Sequence, residues 1–141
     1  MKQGDSVPTM NQILIPVSPG ELLDKITILE IKSERIDSED KKANVRVELG
    51  LLSKVWTDAL SEDSELMALR EELKVVNESL WVIEDDIRDE ERNKRFGERF
   101  IELARSVYRI NDKRADVKKR INVKLGSRIF EEKSYRDYIE Q

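Results

Sequence analysis

Two polar ladders run beside apolar heptads in the second half of the chain, and their side chains are types that bind small ligands. They comprise Asn77, Trp81, Glu84 and Arg88, then Arg105, Tyr108, Asn111 and Arg114. Such arginines could hold a phosphate or carboxylate, while Glu30, Glu84 and Asp85 could hold a sugar hydroxyl or a divalent cation. A buried network that fixes helix register would have the same composition and is the commoner arrangement. The ladders therefore predict either a binding site or a structural network.

An apolar seam beside each ladder predicts a helix. Its residues recur alternately three and four positions apart, which places them on one stripe. The seams are Leu66, Leu69, Leu73, Val76, Leu80, Ile83 and Ile87, and Phe100, Leu103, Val107, Ile110, Arg114, Val117 and Ile121. Because Arg114 occupies a seam position, its guanidinium loses hydration and requires a partner. Asn77, Glu30 or Glu84 could supply it.

The connection between these helices, from about Asn93 to Gly97, is short and predicts an antiparallel αα-hairpin. Residues whose numbers add to about 189 then share a level. Trp81 is expected to face Tyr108, Glu84 to face Arg105, and Arg88 to face Glu102, with Asn77 near Asn111 and Arg114. Residues 58–91 carry 13 acidic and 3 basic side chains, whereas 109–128 carry 8 basic and 2 acidic. Opposite charges would therefore meet along the hairpin.

Composition limits the possible functions. With 141 residues, 38% hydrophobic and 40% charged, the chain suits one helical domain with a modest core. Since cysteine and histidine are absent, disulfides, thiolate zinc sites and histidine bases are excluded. A net charge of −4 argues against general nucleic-acid binding. No segment has the length of a membrane span, and the first residues lack an apolar signal core, so we expect a cytoplasmic protein without membrane contact.

The remaining sequence predicts two further helices and, before the first of them, a flexible start and a short extended arm. Residues 1–11 are polar and expected to be flexible, and residues 12–141 form the domain. Residues 12–17 predict an extended arm that covers one edge of the bundle. A capping box at residues 18–21 starts a helix that reaches about residue 36, and a second helix spans about residues 40–60.

The predicted fold class follows from these elements. Gly126 ends the last helix, and the aromatic residues after it are expected to dock as a tail. We predict an all-α protein, an antiparallel and mostly up-down bundle of four main helices, with a short N-terminal extended arm and a docked C-terminal tail.

A magnesium site is the alternative prediction for the acidic residues. Asp86 and Asp89 can share a helix face, with Glu21 and Asp24 on the first helix. This arrangement is similar to the all-helical nucleoside triphosphate pyrophosphohydrolases, whose paired acidic helices hold magnesium through Glu-x-x-Glu and Glu-x-x-Asp. Here Glu30 and Glu34 lie four apart and the Glu84 helix lacks the second motif. A magnesium-dependent enzyme acting on a nucleotide or phosphorylated sugar is therefore the alternative function.

Four segments resemble a family of short bacterial and phage proteins of unknown function. They are Ser18–Lys32, Asn77–Arg88, Glu102–Ala115 and Glu131–Tyr135, and between them they span most of residues 13–138. The middle two are also similar to a second uncharacterised helical family. The resemblance implies no established activity but a setting near surface-polysaccharide and glycosyltransferase genes. The positions that it implies for a ligand are Asn77, Trp81, Glu84, Asp85, Arg88, Arg105, Asn111, Asp112 and Arg114.

The leading prediction is a non-enzymatic intracellular module with no catalytic residue, metal or cofactor. It would bind a protein partner or a small anionic molecule and, by the resemblance, act as an accessory to surface-glycan synthesis. A homodimer is also compatible with apolar stripes on more than one helix face.

Overall fold

The computed structural model describes residues 11–139, which contain four α-helices and no strand. The helices are α1 (Pro19–Arg35), α2 (Glu39–Ala59), α3 (Ser64–Arg92) and α4 (Glu98–Lys124). The predicted all-α fold class is confirmed. The predicted flexible start, residues 1–11, lies outside the described residues except for Asn11.

The helices begin and end at residues suited to those positions. The Ser18 hydroxyl accepts a hydrogen bond from the Glu21 backbone N–H at 3.1 Å, and proline follows in the first turn of α1. Asp63 caps α3 and accepts from the Leu66 N–H at 2.8 Å. Gly126 has a φ of 68°, a left-handed conformation that terminates α4 at low steric cost.

α1 lies at the centre of the molecule and contacts all three other helices. Apolar residues on two of its faces explain this position, since each face must be covered. The core comprises Leu22, Leu23, Ile26, Trp56, Leu66, Leu69, Leu73, Val117 and Ile121. α2 packs along α1 and supplies Trp56, which is 2% exposed and donates its indole N–H to Glu62 Oε1 at 2.9 Å.

α3 and α4 form the predicted hairpin. The end of α4 meets the start of α3 through Lys124 Nζ, which lies 2.9 Å from Asp63 and 3.0 Å from Glu65. Near the loop, Arg99 Nε lies 3.0 Å from Glu90 Oε1. These contacts join opposite ends of the two helices, as a short αα-hairpin requires.

α1 covers only half of this hairpin. We call residues 64–79 and 111–124 the base, and residues 80–110 the distal hairpin. The seam is buried in the base, at Leu66, Leu69, Leu73, Val76, Val117 and Ile121, whereas in the distal hairpin it is only half-buried, at Leu80, Ile83, Ile87, Phe100, Leu103, Val107 and Ile110. Two helices alone leave one side of their shared seam open to solvent, because a dry core needs a further packed element.

The two ends of the chain differ from each other. The arm before α1 does not cover an edge of the bundle, since Ile13, Leu14 and Ile15 are 74%, 84% and 68% exposed. The predicted cover is therefore wrong for this segment. As far as residue 139, the tail after α4 has no regular secondary structure, but it returns along α4 and contacts it at several points.

Candidate functional site

A buried carboxylate, Asp24, joins three helices at the base of the hairpin. It is 1% exposed and lies on α1. Arg114 of α4 donates from Nε to Asp24 Oδ1 at 2.9 Å and from Nη2 to Asp24 Oδ2. Asn77 of α3 donates from Nδ2 to Asp24 Oδ1 at 3.0 Å and to the Thr27 hydroxyl at 2.9 Å. This bidentate geometry and the amide donor satisfy a charge that could not otherwise be buried.

Arg114 has the partner that its seam position requires, but sequence analysis did not identify Asp24 as that partner. Glu30 instead pairs with Arg70 at 3.4 Å, and Glu84 pairs within α3. Asn77 reaches Arg114 only through the shared carboxylate. The hydrogen bonds that Arg114 donates to Asp24 raise the pKa of Arg114 above its ordinary value, although partial burial opposes the shift. The guanidinium is therefore permanently charged and fixed in place.

A second ion cluster lies beside this network and ties the tail to the base. Lys118 Nζ lies 2.7 Å from Glu21 of α1 and 3.2 Å from Glu131 of the tail, with Asp24 Oδ2 at 4.0 Å. Burial acts to lower the pKa of Lys118, but the bond to Glu21 and the charge of Asp24 outweigh it, so the pKa is raised. Lys118 thus remains an ammonium that holds tail and helices together.

A groove of about 1080 Å³ separates α4 from the tail. α4 lines it with Tyr108, Asn111, Asp112, Arg114 and Lys118, and the tail lines it with residues 131–138. Beyond the Lys118 cluster, Lys133 Nζ lies 3.5 Å from Asp112, and the Tyr138 ring packs edge-on against Tyr108 with centroids 4.8 Å apart. The tail therefore forms one wall of a concave site whose other wall is a rigid helix.

The groove is rich in polar groups but nearly balanced in charge. Four cationic side chains (Arg114, Lys118, Lys133, Arg136) and five anionic ones (Glu21, Asp112, Glu131, Glu132, Asp137) line it, with Tyr108, Tyr135 and Tyr138. On the wall, Arg114 Nη1 has among residues 11–139 only a weak contact, to Asn111 Oδ1 at 3.5 Å. The surface offers aromatic rings, hydrogen-bond donors and acceptors without a strong electrostatic field of either sign.

The structure distributes the predicted site residues over separate places. Asn77 and Arg114 belong to the buried network, Tyr108, Asn111 and Asp112 line the groove, and Glu30 belongs to the Arg70 pair. Trp81, Glu84, Asp85, Arg88 and Arg105 all lie in the distal hairpin. The sequence patterns did not predict Asp24 as the partner of Arg114, nor Glu21, Lys118 and Glu131 as groove residues.

Three of the predicted facing pairs across the hairpin are wrong, whereas the placement of Asn77 near Arg114 is confirmed, because both side chains donate to Asp24 Oδ1. Arg88 binds Glu84 at 2.6 Å within α3, and Arg105 lies 3.6 Å from Glu102 within α4. Tyr108 packs on Tyr138 rather than on Trp81. The cause on α4 is the three-residue spacing of its ladder. Each step of three residues turns a helix by about 300°, about 60° short of a full turn, so the three steps from Arg105 to Arg114 leave these two residues about half a turn apart. Arg105 thus lies on the opposite side of α4 from Arg114.

Within residues 11–139, no three acidic side chains come together as a metal site would require. Of the acidic patch on α3, Asp86 lies 3.5 Å from Arg99 and Asp89 lies 2.8 Å from Arg92. The magnesium-dependent alternative stays a prediction. None of the four helices has the length and apolar content of a membrane span.

The fold and groove define an all-α protein with a concave polar site between a helix and an irregular tail. A family model described as "Family of unknown function (DUF6165)" matches residues 13–141, and the chain belongs to this family. No curated protein and no solved structure matches the chain. Membership of an uncharacterised family, implied by four sequence segments, is confirmed.

Proposed function

We propose that this protein is a non-catalytic module that binds a small hydroxyl-rich ligand, a sugar or a sugar derivative with at most one or two charges, in the groove between α4 and the tail. The observation that carries the proposal is the fixed position of Arg114. Its Nε and Nη2 are held by the buried Asp24, while Nη1 has only one weak contact within the part of the chain that the structure describes. A donor fixed in this way binds a ligand without a further cost of ordering its side chain.

The composition of the groove favours a sugar over a polyanion. A ligand with several phosphates would approach five carboxylates, and like charges at close range cost several kcal/mol. Sugar hydroxyls donate and accept at once, so they suit paired carboxylates, amides and guanidinium groups. The rings of Tyr108, Tyr135 and Tyr138 add apolar faces against which a sugar ring can pack.

A sugar ligand agrees with the surface-polysaccharide setting that the sequence resemblance implies. We therefore extend the proposal to an accessory role in surface-glycan synthesis inside the cell. In that role the module would hold a glycan unit or precursor for another protein to process.

Titration of isotope-labelled protein followed by NMR tests the proposal. The panel contains neutral monosaccharides, sugar phosphates, sugar nucleotides and nucleoside triphosphates, each with and without magnesium. We expect shifts at Tyr108, Asn111 and the tail with sugars or sugar phosphates, independent of magnesium. Silence across the sugars contradicts the proposal, and binding only of a triphosphate with magnesium would support the enzymatic alternative instead.

Matched variants locate the binding site. Tyr108→Ala removes a groove ring without touching Asp24, and we expect it to raise the ligand Kd about two- to tenfold, since an aromatic contact contributes about 0.5–1.5 kcal/mol. Arg105→Ala is the control, because Arg105 lies on the opposite side of the same helix. Equal affinities for the Tyr108 variant and the wild type would place the ligand elsewhere.

A further inference from the structure

The distal hairpin has an open apolar groove that continues the buried seam of the base, and we call it the distal groove to distinguish it from the groove beside the tail. Its floor contains Leu80 and Ile87 from α3 and Phe100 and Leu103 from α4, and each of these is half-buried. In the base, the corresponding residues are buried in a core shared with α1 and with Trp56 of α2. The groove is thus open because α1 ends its cover near Asn77.

The side on which this groove opens follows from Asn77. Asn77 points towards α1, since its amide binds Asp24. Trp81, Glu84 and Arg88 follow it by four, seven and eleven residues, which places them on the same stripe of α3. These three side chains therefore border the open groove.

Charged residues behave differently on the two sides of the hairpin. On the far side, α3 and α4 are joined by ion pairs between helices, Arg120 with Glu72 and Arg99 with Asp86. On the open side, Glu84 and Arg88 pair within α3 at 2.6 Å and remain 41% and 71% exposed. An exposed pair of this kind is weak, so both charges are available to a partner.

We propose that a second copy of this chain covers the groove, with the two distal hairpins packed face to face about a twofold axis. The pattern on α3 is self-complementary. When two copies of α3 run antiparallel, residues equidistant from the axis meet. An axis on the open side at the level of residue 86, midway between Glu84 and Arg88, places Glu84 of each copy opposite Arg88 of the other, so the dimer gains two ion pairs between the copies.

The dimensions of the groove suit this arrangement. The thirteen residues from Leu80 to Arg92 make about 20 Å of helix, and two helices side by side are about 20 Å wide. In the antiparallel arrangement, the loop end of one hairpin reaches the point where α1 begins to cover the other. A face of this size is at the small end of specific interfaces, so the dimer should dissociate on dilution into the micromolar range.

Sedimentation velocity over a series of concentrations tests the proposal through charge reversal. The wild type should show a monomer–dimer equilibrium. Glu84→Arg and Arg88→Glu should each weaken the dimer at least about tenfold, because each places four like charges at the axis. An equimolar mixture of the two variants should form a heterodimer tighter than either homodimer, and the double variant Glu84→Arg/Arg88→Glu should recover wild-type dimerisation.

A matched control lies on the outer face of the same helix. Asp89, which binds Arg92 at 2.8 Å within α3, follows Asn77 by twelve residues and therefore lies about a third of a turn round the helix, away from the seam. Asp89→Arg should leave the dimer unchanged, and circular dichroism checks that all variants remain helical. A wild type that stays monomeric at about millimolar concentration overturns the proposal. The proposal is also overturned if the single Glu84 and Arg88 variants dimerise as strongly as the wild type.

One further variant separates the proposed occupant from a competing one. The exposed arm of a second copy, residues 13–15, could instead occupy the groove. If Leu14→Ser abolishes the dimer while the charge reversals leave it intact, the arm is the contact and face-to-face packing is wrong. If Leu14→Ser has no effect and the mixed variants associate, the proposal stands.

Discussion

The base and the distal part of the same hairpin have the same heptad pattern but different degrees of burial. Leu73 in the base is fully buried, whereas Leu80, one heptad later on the same seam, is half-buried. Both are leucines on one stripe of one helix, so neither residue type nor spacing explains the difference. Helix α1 explains the difference, because it covers the seam only as far as Asn77. A heptad predicts which face is buried, and its neighbours decide how completely.

Polar side chains show the same contrast. In the base, Asp24, Asn77 and Arg114 connect three helices through a buried carboxylate. In the distal hairpin, Glu84 and Arg88 form an exposed pair within one helix. Breaking the first kind of contact isolates a buried charge, which is expensive, while exposed pairs contribute about 0–1 kcal/mol.

The largest expected effect comes from Arg114→Leu. Removal of the guanidinium leaves Asp24 buried without a cationic partner, and we expect a loss of about 3–5 kcal/mol in the free energy of unfolding. Urea denaturation measures it. Arg105→Leu in the distal hairpin is the control and should change stability by less than about 0.5 kcal/mol. Similar losses for both variants would remove the distinction between base and distal hairpin.

Two leucine truncations compare the halves of the seam directly. Leu73→Ala should cost about 2–5 kcal/mol, because it leaves a cavity in a closed core. Leu80→Ala should cost less than about 1.5 kcal/mol, because its side chain is already half in water. Both are measured by urea denaturation at low protein concentration, where association does not contribute. Equal costs would show that the distal seam is as well packed as the base.

The close contact between α1 and α4 predicts a smaller effect at Gly20. A Cβ there would lie 2.5 Å from the backbone oxygen of Lys118, so Gly20→Ala should destabilise the fold by about 1–3 kcal/mol. Gly50 in α2 is the matched control, since a Cβ there would meet nothing within 4 Å. Gly50→Ala should raise stability by about 0.5–1 kcal/mol, and thermal unfolding of both variants measures the difference. A stable Gly20 variant would argue against this contact.

The smallest expected effect concerns pH at the end of the base. The hydrogen bond from Lys124 and the one from the Leu66 N–H lower the pKa of Asp63 below its ordinary value. A lowered native pKa contributes stability above about pH 4, and this stability is lost as the pH falls through the native pKa. Asp63→Asn keeps the helix cap but cannot titrate. Its stability should therefore fall less between pH 5 and pH 3, in urea titrations, than that of the wild type.

Much of the fold follows from local sequence patterns. The capping box predicts the start of α1 at Pro19, the short connection at residues 93–97 predicts the hairpin, and Gly126 predicts the end of α4. Apolar residues on two faces of α1 predict its central position. The half-open distal seam was not predictable in this way, because it depends on where α1 crosses the hairpin.

The candidate site was predictable only in part. The seam position of Arg114 predicts that a partner exists, but Asp24 could not be chosen without the packing of α1 against both other helices. A carboxylate between Leu23 and Ile26 was the available signal. The α4 ladder did not predict a common site correctly, because residues that recur every three positions drift around a helix and do not share one face. The groove wall formed by residues 131–138 has no periodicity from which its path could be inferred.

The positions of the two tryptophans give the protein a built-in optical contrast. Trp56 is closed in the core and bonded to Glu62, whereas Trp81 is half-buried on the border of the distal groove. Trp56→Phe would leave an emission spectrum that reports on the distal hairpin alone, and Trp81→Phe would leave one that reports on the core. Quenching by iodide, measured on each variant without an added label, would then distinguish events at the hairpin face from unfolding of the core.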